Sequence, residues 1–317
     1  MIFNRLSGFL AVLLVTFSQF TSIQALSAPA PMREWNLLVF LNGKNDLDSF
    51  GAMNINQMEM TGSTPQMNIL VQWGSLANQT TKRLFIQKDQ SQQITSPVLQ
   101  DMGPNVDMGD YRSLIDFANW SQTNYPAKHY FVVVWNHGSG WHLSLDGNRV
   151  NRDISNDELT GHSIRTEELA FAMGQIARII GHKVDIYGSD ACLMGMVEVA
   201  AQMQNFVDVY VGSEEVEPGE GCPYATFLPR WASNPYAPSE EVAKLLTQEF
   251  VRAYSPGGIY PKADVTLSAL RTSGLVDLQK AMYQLAASTK GLPQQSFQAI
   301  GQAVNASQKF EFRDYVD

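Results

Sequence analysis

Two residues able to do covalent chemistry stand in specific surroundings in this sequence. Cys192 lies in Ser189-Asp190-Ala191-Cys192-Leu193-Met194-Gly195, and His137 lies in Trp135-Asn136-His137-Gly138-Ser139-Gly140-Trp141. A thiol becomes a strong nucleophile when an imidazole takes or stabilises its proton, and that pairing needs neighbours in space, not in sequence. Histidine upstream of cysteine by roughly 50 residues is the order of a caspase-type pair. Spacing alone is weak evidence, because unrelated proteins show it too; the local context adds more. Gly138 and Gly140 permit a tight turn and let a backbone amide approach a substrate carbonyl. The Gly138 and Cys192 amides are therefore the candidate oxyanion hole. Helical propensity follows Cys192, and a helix N-terminus there would stabilise a thiolate.

Such a pair has to be held by a rigid base, and the apolar runs supply one. Residues 36–41, 68–73, 130–135 and 184–187 are apolar stretches that stop at Asn, Gly or Ser, as buried strands entering turns do, and 207–212 is a fifth. Between them lie helical patterns at 47–60, 111–123, 166–180, 195–204 and 239–253. In the third, Leu169, Met173, Ile176 and Ile180 form a core stripe, and Glu167 and Glu168 suit its N-terminal end. Strands alternating with helices predict an α/β fold with a mostly parallel sheet covered on both faces. Ligands of such sheets sit beyond the carboxyl ends of the strands, and His137 and Cys192 each follow one. Residues 82–95 read as a two-stranded excursion and 142–165 as a polar insertion without periodicity. No repeat or linker divides the chain.

With 317 residues, 44% of them hydrophobic, the chain can bury a sizeable core. Residues 1–27 read as a signal peptide: Arg5, a short apolar run from Phe9 to Val15, then small residues from Ala25 to Ala28. The run is shorter than the roughly 18 residues a membrane span needs. A secreted or periplasmic protein is expected, with no membrane association after signal removal. Loss of Arg5 takes the formal charge from −9 to −10, which argues against nucleic acid as a partner. Residues 28–317 form the expected domain. Because the chain stops at Arg313-Asp314-Tyr315-Val316-Asp317 without a helix stop, a truncated C-terminus is expected. Cys192 and Cys222 are its two cysteines, and in an exported protein a pair can be one disulfide. There is no His-Glu-x-x-His zinc motif, phosphate loop or Gly-x-Ser-x-Gly elbow. His129, His142, His162 and His182 read as ordinary strand, loop and helix-end residues.

The two motifs, in this order and behind these strands, resemble the clostripain-type cysteine peptidases, family C11 of the caspase-like clan. Asn42-Gly43-Lys44-Asn45-Asp46-Leu47 adds to the resemblance, as does, more weakly, Ser213-Glu214-Glu215-Val216-Glu217-Pro218-Gly219; together they cover about residues 34–231. The resemblance implies a caspase-like three-layer sandwich, with His137 as base and Cys192 as nucleophile and no third catalytic residue demanded. It places Asp190 in the pocket for the residue before the scissile bond, with Ser213 and Glu214 as further substrate-binding candidates, and so implies cleavage after Arg or Lys. A carboxylate at the base of a partly closed pocket pairs with a guanidinium or ammonium and disfavours neutral side chains. The plainer reading of Asp190 is a cap on the turn into the next helix. Self-processing is implied in the 142–165 loop, where Arg149 and Arg152 are the candidate sites, giving a monomer or a self-cleaved two-chain form. No cofactor is required for this chemistry. Calcium is a candidate through the resemblance, with oxygens from Asp153, Asn156, Asp157 and Glu158, whose spacing is not that of an EF-hand. Where the family carries an aromatic residue this chain has Cys222, and a Cys192–Cys222 disulfide would give the alternative, an exported, catalytically inactive binding protein.

Overall fold

Why the apolar runs become strands is visible in their burial. In the first strand, Arg33–Gly43 (β1), Leu37, Val39 and Leu41 enter one core while Leu38 and Phe40 enter another on the opposite face. A strand covered on both faces must be apolar throughout. The structure, a computed structural model, describes residues 32–141 and 154–311. The signal-peptide segment and the candidate cleavage sites Arg149 and Arg152 lie outside them.

Further strands are Met67–Ser75 (β2), Thr80–Phe85 (β3), Val98–Gly103 (β4), Ala127–Trp135 (β5), Ile154–Asp157 (β6), His162–Ile164 (β7), Val184–Asp190 (β8), Val207–Gly212 (β9) and Ser268–Arg271 (β10). The main sheet has eight strands in the order β10-β9-β8-β5-β1-β2-β3-β4. The central strands β9, β8, β5, β1 and β2 run parallel, and β10, β3 and β4 add antiparallel edges. The predicted excursion at 82–95 is thus displaced: its strands are β3 and β4, and both extend the main sheet. Inside the stretch read as an unpatterned insertion, β6 and β7 pair antiparallel as a separate hairpin.

Helices Asp48–Glu59 (α1), Tyr111–Asn124 (α2), Thr166–Ile180 (α3), Val197–Met203 (α4), Tyr224–Ala232 (α5) and Ser239–Tyr254 (α6) cover the sheet. One core joins α2, α3 and α4 to one face, and the other joins α5 and α6, with part of α1, to the opposite face. This is the expected three-layer α/β sandwich. The α3 stripe of Leu169, Met173, Ile176 and Ile180 is buried as read, worth about 6–12 kcal/mol at about 1.5–3 kcal/mol per side chain. Two further helices, Leu275–Ser288 (α7) and Gln294–Ala306 (α8), follow β10. No helix among the described residues is long and apolar enough to cross a membrane.

Candidate active site

Register explains how the two reactive residues meet. Strands β5 and β8 are parallel neighbours, and their last paired residues are Trp135 and Asp190. His137 and Cys192 each lie two residues beyond that pair, so they leave the sheet side by side. Both line one cleft of about 190 Å³, together with Leu47, Trp135, Asp190, Val216, Glu217, Pro218 and Gly219. The loops touch closely at Gly138, where a Cβ would stand 2.5 Å from the Cys192 carbonyl oxygen and 2.8 Å from Met194 Cγ. Only glycine permits so close an approach of the His137 and Cys192 turns. A larger hollow of about 360 Å³ between α5 and α6, around Arg230, Ser233 and Lys244, includes neither a cysteine nor a histidine.

The turn carrying Cys192 is strained. Leu193 has φ +62°, a left-handed conformation unusual for a residue with a Cβ, and such positions cost about 1–3 kcal/mol. Hydrogen bonds from the Leu193 amide to Glu215 O (3.2 Å) and from the Gly195 amide to Ser213 O (2.7 Å) hold it. Helix α4 begins only at Val197, so the expected helix N-terminus at Cys192 is corrected: a turn at Cys192 and Leu193 and non-helical residues 194–196 intervene, and the helix starts too far on for its first turn to lie at the thiol. Instead the Glu217 amide donates to Cys192 Sγ at 3.3 Å, and the loop after β9 covers the sulfur. Burial, with the carboxyl of Glu217 nearby, pushes the Cys192 thiol up to about 11.

Asp190 closes the floor of the cleft. Its Oδ1 accepts from the Cys222 amide at 2.9 Å and its Oδ2 from the Tyr224 hydroxyl at 2.8 Å. Gly221, at φ +62°, lies so close that a Cβ would come within 2.7 Å of Oδ1. Burial pushes Asp190 up to about 6. Glu217 is buried beside it, and burial next to this second acid holds its carboxyl well above the ordinary carboxylate range. Glu217 went unmarked in the sequence, where it is one of three acids in Glu214-Glu215-Val216-Glu217 and nothing distinguishes it. Ser213 and Glu214 lie elsewhere. The Ser213 hydroxyl donates to Glu215 O, the Glu214 amide donates to Thr266 Oγ1, and the Glu214 carboxylate accepts from Ser268. They pin the loop to β10, and Val216 to Gly219 form its cleft-facing part. Cys192 and Cys222 are both free thiols, so the disulfide alternative is not what the fold contains; Cys222 packs in the core with Tyr224 and Phe227.

On the other side of β5, His137 Nε2 donates to Asp46 Oδ1 at 2.7 Å. The His137 turn is clamped by Asn136, whose side chain donates to Asn42 O and accepts from the Asn156 amide, each at 2.6 Å. The segment after 153 is a brace. Ser155 N donates to His137 O, Asn45 Nδ2 donates to Asn156 O, and the buried Lys44 ammonium lies 3.6 Å from Asp157. Asp157 also accepts from the amides of Met108, Leu159 and Thr160. Both Asp157 oxygens are so engaged, and the Asn156 side-chain oxygen accepts from Ser163, so these two candidate calcium ligands serve as anchors of the brace. Asp153 lies outside the described residues, and among those described no group of three or more His, Cys, Asp or Glu is arranged to hold a metal ion.

This chain matches the clostripain family over residues 39–316. Clostripain of Hathewaya histolytica is 33% identical over 130 residues, 39% of this chain and 24% of that protein, so this match spans about a quarter of clostripain's length. A secreted C11 cysteine protease from Bacteroides thetaiotaomicron, solved with an irreversible peptide inhibitor, superposes with a TM-score of 0.62 at 24% identity, covering 78% of this chain and 69% of that one. A secreted C11 protease from the same organism, called iotapain, gives 0.67 at 17% identity over 88% of this chain and 75% of that one. An inactive zymogen C11 protease from Parabacteroides distasonis gives 0.60 at 20% identity over 79% and 65%. These likenesses establish a shared caspase-like sandwich. With the family match running from β1 past both reactive strand ends to the close of the described chain, the protein belongs to the clostripain family.

Proposed function

We propose that residues 28–317 form the peptidase domain of an exported cysteine endopeptidase that cleaves after Arg or Lys. The carrying observation is the Trp135–Asp190 register, which sets His137 and Cys192 side by side in one cleft. In the proposed cycle His137 takes the Cys192 proton, and the sulfur attacks the scissile carbonyl to form a tetrahedral oxyanion facing the Gly138 and Cys192 amides. The protonated imidazole then gives its proton to the leaving amine, and water, activated by the same imidazole, hydrolyses the thioester to acid and free thiol. A cleft of about 190 Å³ is below the roughly 300 Å³ of ordinary small-ligand pockets and suits a single side chain. Asp190 and Glu217 at its base supply acid groups for a cationic one. Export is supported by the pattern of residues 1–27 and by the secreted relatives; self-cleavage at Arg149 or Arg152 is proposed by family resemblance.

The test is hydrolysis of fluorogenic peptides ending in Arg, Lys, Asp or Leu, under reducing conditions, beside Cys192→Ala and His137→Ala. Selective Arg or Lys cleavage lost in both variants is the expected result. Full activity in Cys192→Ala removes the nucleophile assignment, and preference for Asp or Leu removes the pocket assignment.

A further inference from the structure

His137 has a side-chain partner on the side away from Cys192. Strand β1 lies next to β5, opposite to β8, and the β1–β5 register ends at Leu41 and Trp135. The loop after β1 therefore flanks the His137 turn on one side while the Cys192 turn flanks it on the other. Asp46 sits on that loop with Oδ1 2.7 Å from His137 Nε2. Its side chain is 73% exposed, yet the backbone around it is fixed. Asn42 Oδ1 accepts from the Lys44 amide at 3.1 Å, Asn45 Oδ1 accepts from the Leu47 amide at 3.0 Å, and Lys44 is buried against Pro104 O and Val106 O. An exposed carboxylate ordinarily gains little from holding one geometry; here both flanking residues are tied down, which is the arrangement that aims a side chain.

From this geometry, and resting on the dyad reading above, we infer that Asp46 is a positioning residue that sets the tautomer and orientation of His137. A carboxylate at Nε2 keeps the proton on that nitrogen and leaves the Nδ1 lone pair to take the thiol proton. When the imidazole becomes imidazolium during thiol deprotonation, the same carboxylate faces the new charge. Asp46 touches neither substrate nor sulfur in this role, so its removal changes turnover and leaves substrate binding intact. Solvent screening of an exposed carboxylate reduces the effect below that of a buried triad acid.

The experiment measures kcat and KM separately on an Arg-terminated fluorogenic peptide for the whole chain and for Asp46→Ala, Asp46→Asn, Asp46→Glu, His137→Ala and Cys192→Ala. Asp46→Ala is expected to lower kcat by roughly 10- to 100-fold with KM within about threefold. Asp46→Asn, whose amide oxygen still accepts from Nε2, and Asp46→Glu, which keeps the charge, are expected to recover part of the loss. Unchanged kcat in Asp46→Ala, with Cys192→Ala and His137→Ala inactive, overturns the inference and leaves the dyad standing. A loss confined to KM overturns it as well, since Asp46 would then be a substrate contact. Activity retained in Cys192→Ala or His137→Ala removes the dyad and the inference with it.

Discussion

Asp190 is held where its charge is costly, and that fixes a pH dependence. Its pKa in the fold, about 6, lies above the ordinary 3.8. A carboxyl raised in this way favours the folded state fully below about pH 4, and that contribution is lost as pH rises through about 6, with a total of roughly 3 kcal/mol. Asp190→Asn removes this share of the dependence and leaves that of the neighbouring Glu217, whose carboxyl is raised as well. Urea unfolding at pH 4 and pH 7 should therefore show the parent protein losing stability between the two values relative to the variant; equal pH responses would place Asp190 in water. A bound guanidinium needs the ionised form. KM for an Arg peptide should accordingly fall as pH rises through about 6, while Asp190→Asn loses roughly 100-fold in kcat/KM, the scale of one charge-assisted hydrogen bond. Sequence pattern was enough to single out His137 and Cys192 because each closely follows a buried parallel strand, whereas Asp190, at the end of β8, was marked only through the family resemblance. Asp46 and Glu217 stayed hidden for a physical reason: an acid in a polar loop has the same sequence signature whether it faces water, an imidazole or another acid.

At the scale of elements, the loop after β9 decides whether the thiol is available. Glu217 lies over Cys192, and Gly219 packs so tightly that a Cβ would come within 2.8 Å of the Phe50 ring. With the thiol raised to about 11, the covered sulfur is protonated at neutral pH, and alkylation tracks the thiolate fraction. The rate of iodoacetamide labelling of Cys192 in the free protein should climb from pH 7 through pH 10 without levelling. A plateau near pH 8 to 9, the range of an ordinary thiol, would mean the loop stands open in solution. The main strands and their helices were legible because continuous apolar runs and 3.6-residue stripes are direct images of burial. Edge strands β3 and β4, and the β6–β7 hairpin, are polar on one or both sides and carry no such image. Helix α5 was missed because Pro229 lies inside it, and proline within a short segment reads as a breaker. The residues after Cys192 have helical composition, but the Leu193 turn and its bonds to the β9 loop delay the helix to Val197; here tertiary contacts override propensity.

For the molecule as a whole, the consequence of a cut at Arg149 or Arg152 follows from sheet order. Strands β1, β2 and β5 precede those sites in the chain, and β8 and β9 follow them, yet β5 pairs with β8 in the middle of one sheet. The two pieces would share both hydrophobic cores, since Phe131 and Ile186 pack in one and Tyr130 and Tyr187 in the other. The piece after the cut is also pinned at its start: Ser155 to His137, Asn156 to Asn45 and Asn136, and Asp157 to the buried Lys44. Removing one partner of a buried charge pair typically costs about 3–5 kcal/mol, because the other charge is left buried and unpaired. A protein nicked at these arginines, by itself or with trypsin, should run as two bands in denaturing gels and as one species in gel filtration, separating only when denaturant dissolves the shared sheet. Lys44→Met should weaken that hold, lowering the denaturant concentration at which the nicked pieces part more than it lowers the unfolding midpoint of the uncut chain, where covalent continuity keeps the brace near its site. Pieces that separate without denaturant would show that β5 and β8 are not held by the continuous core described here.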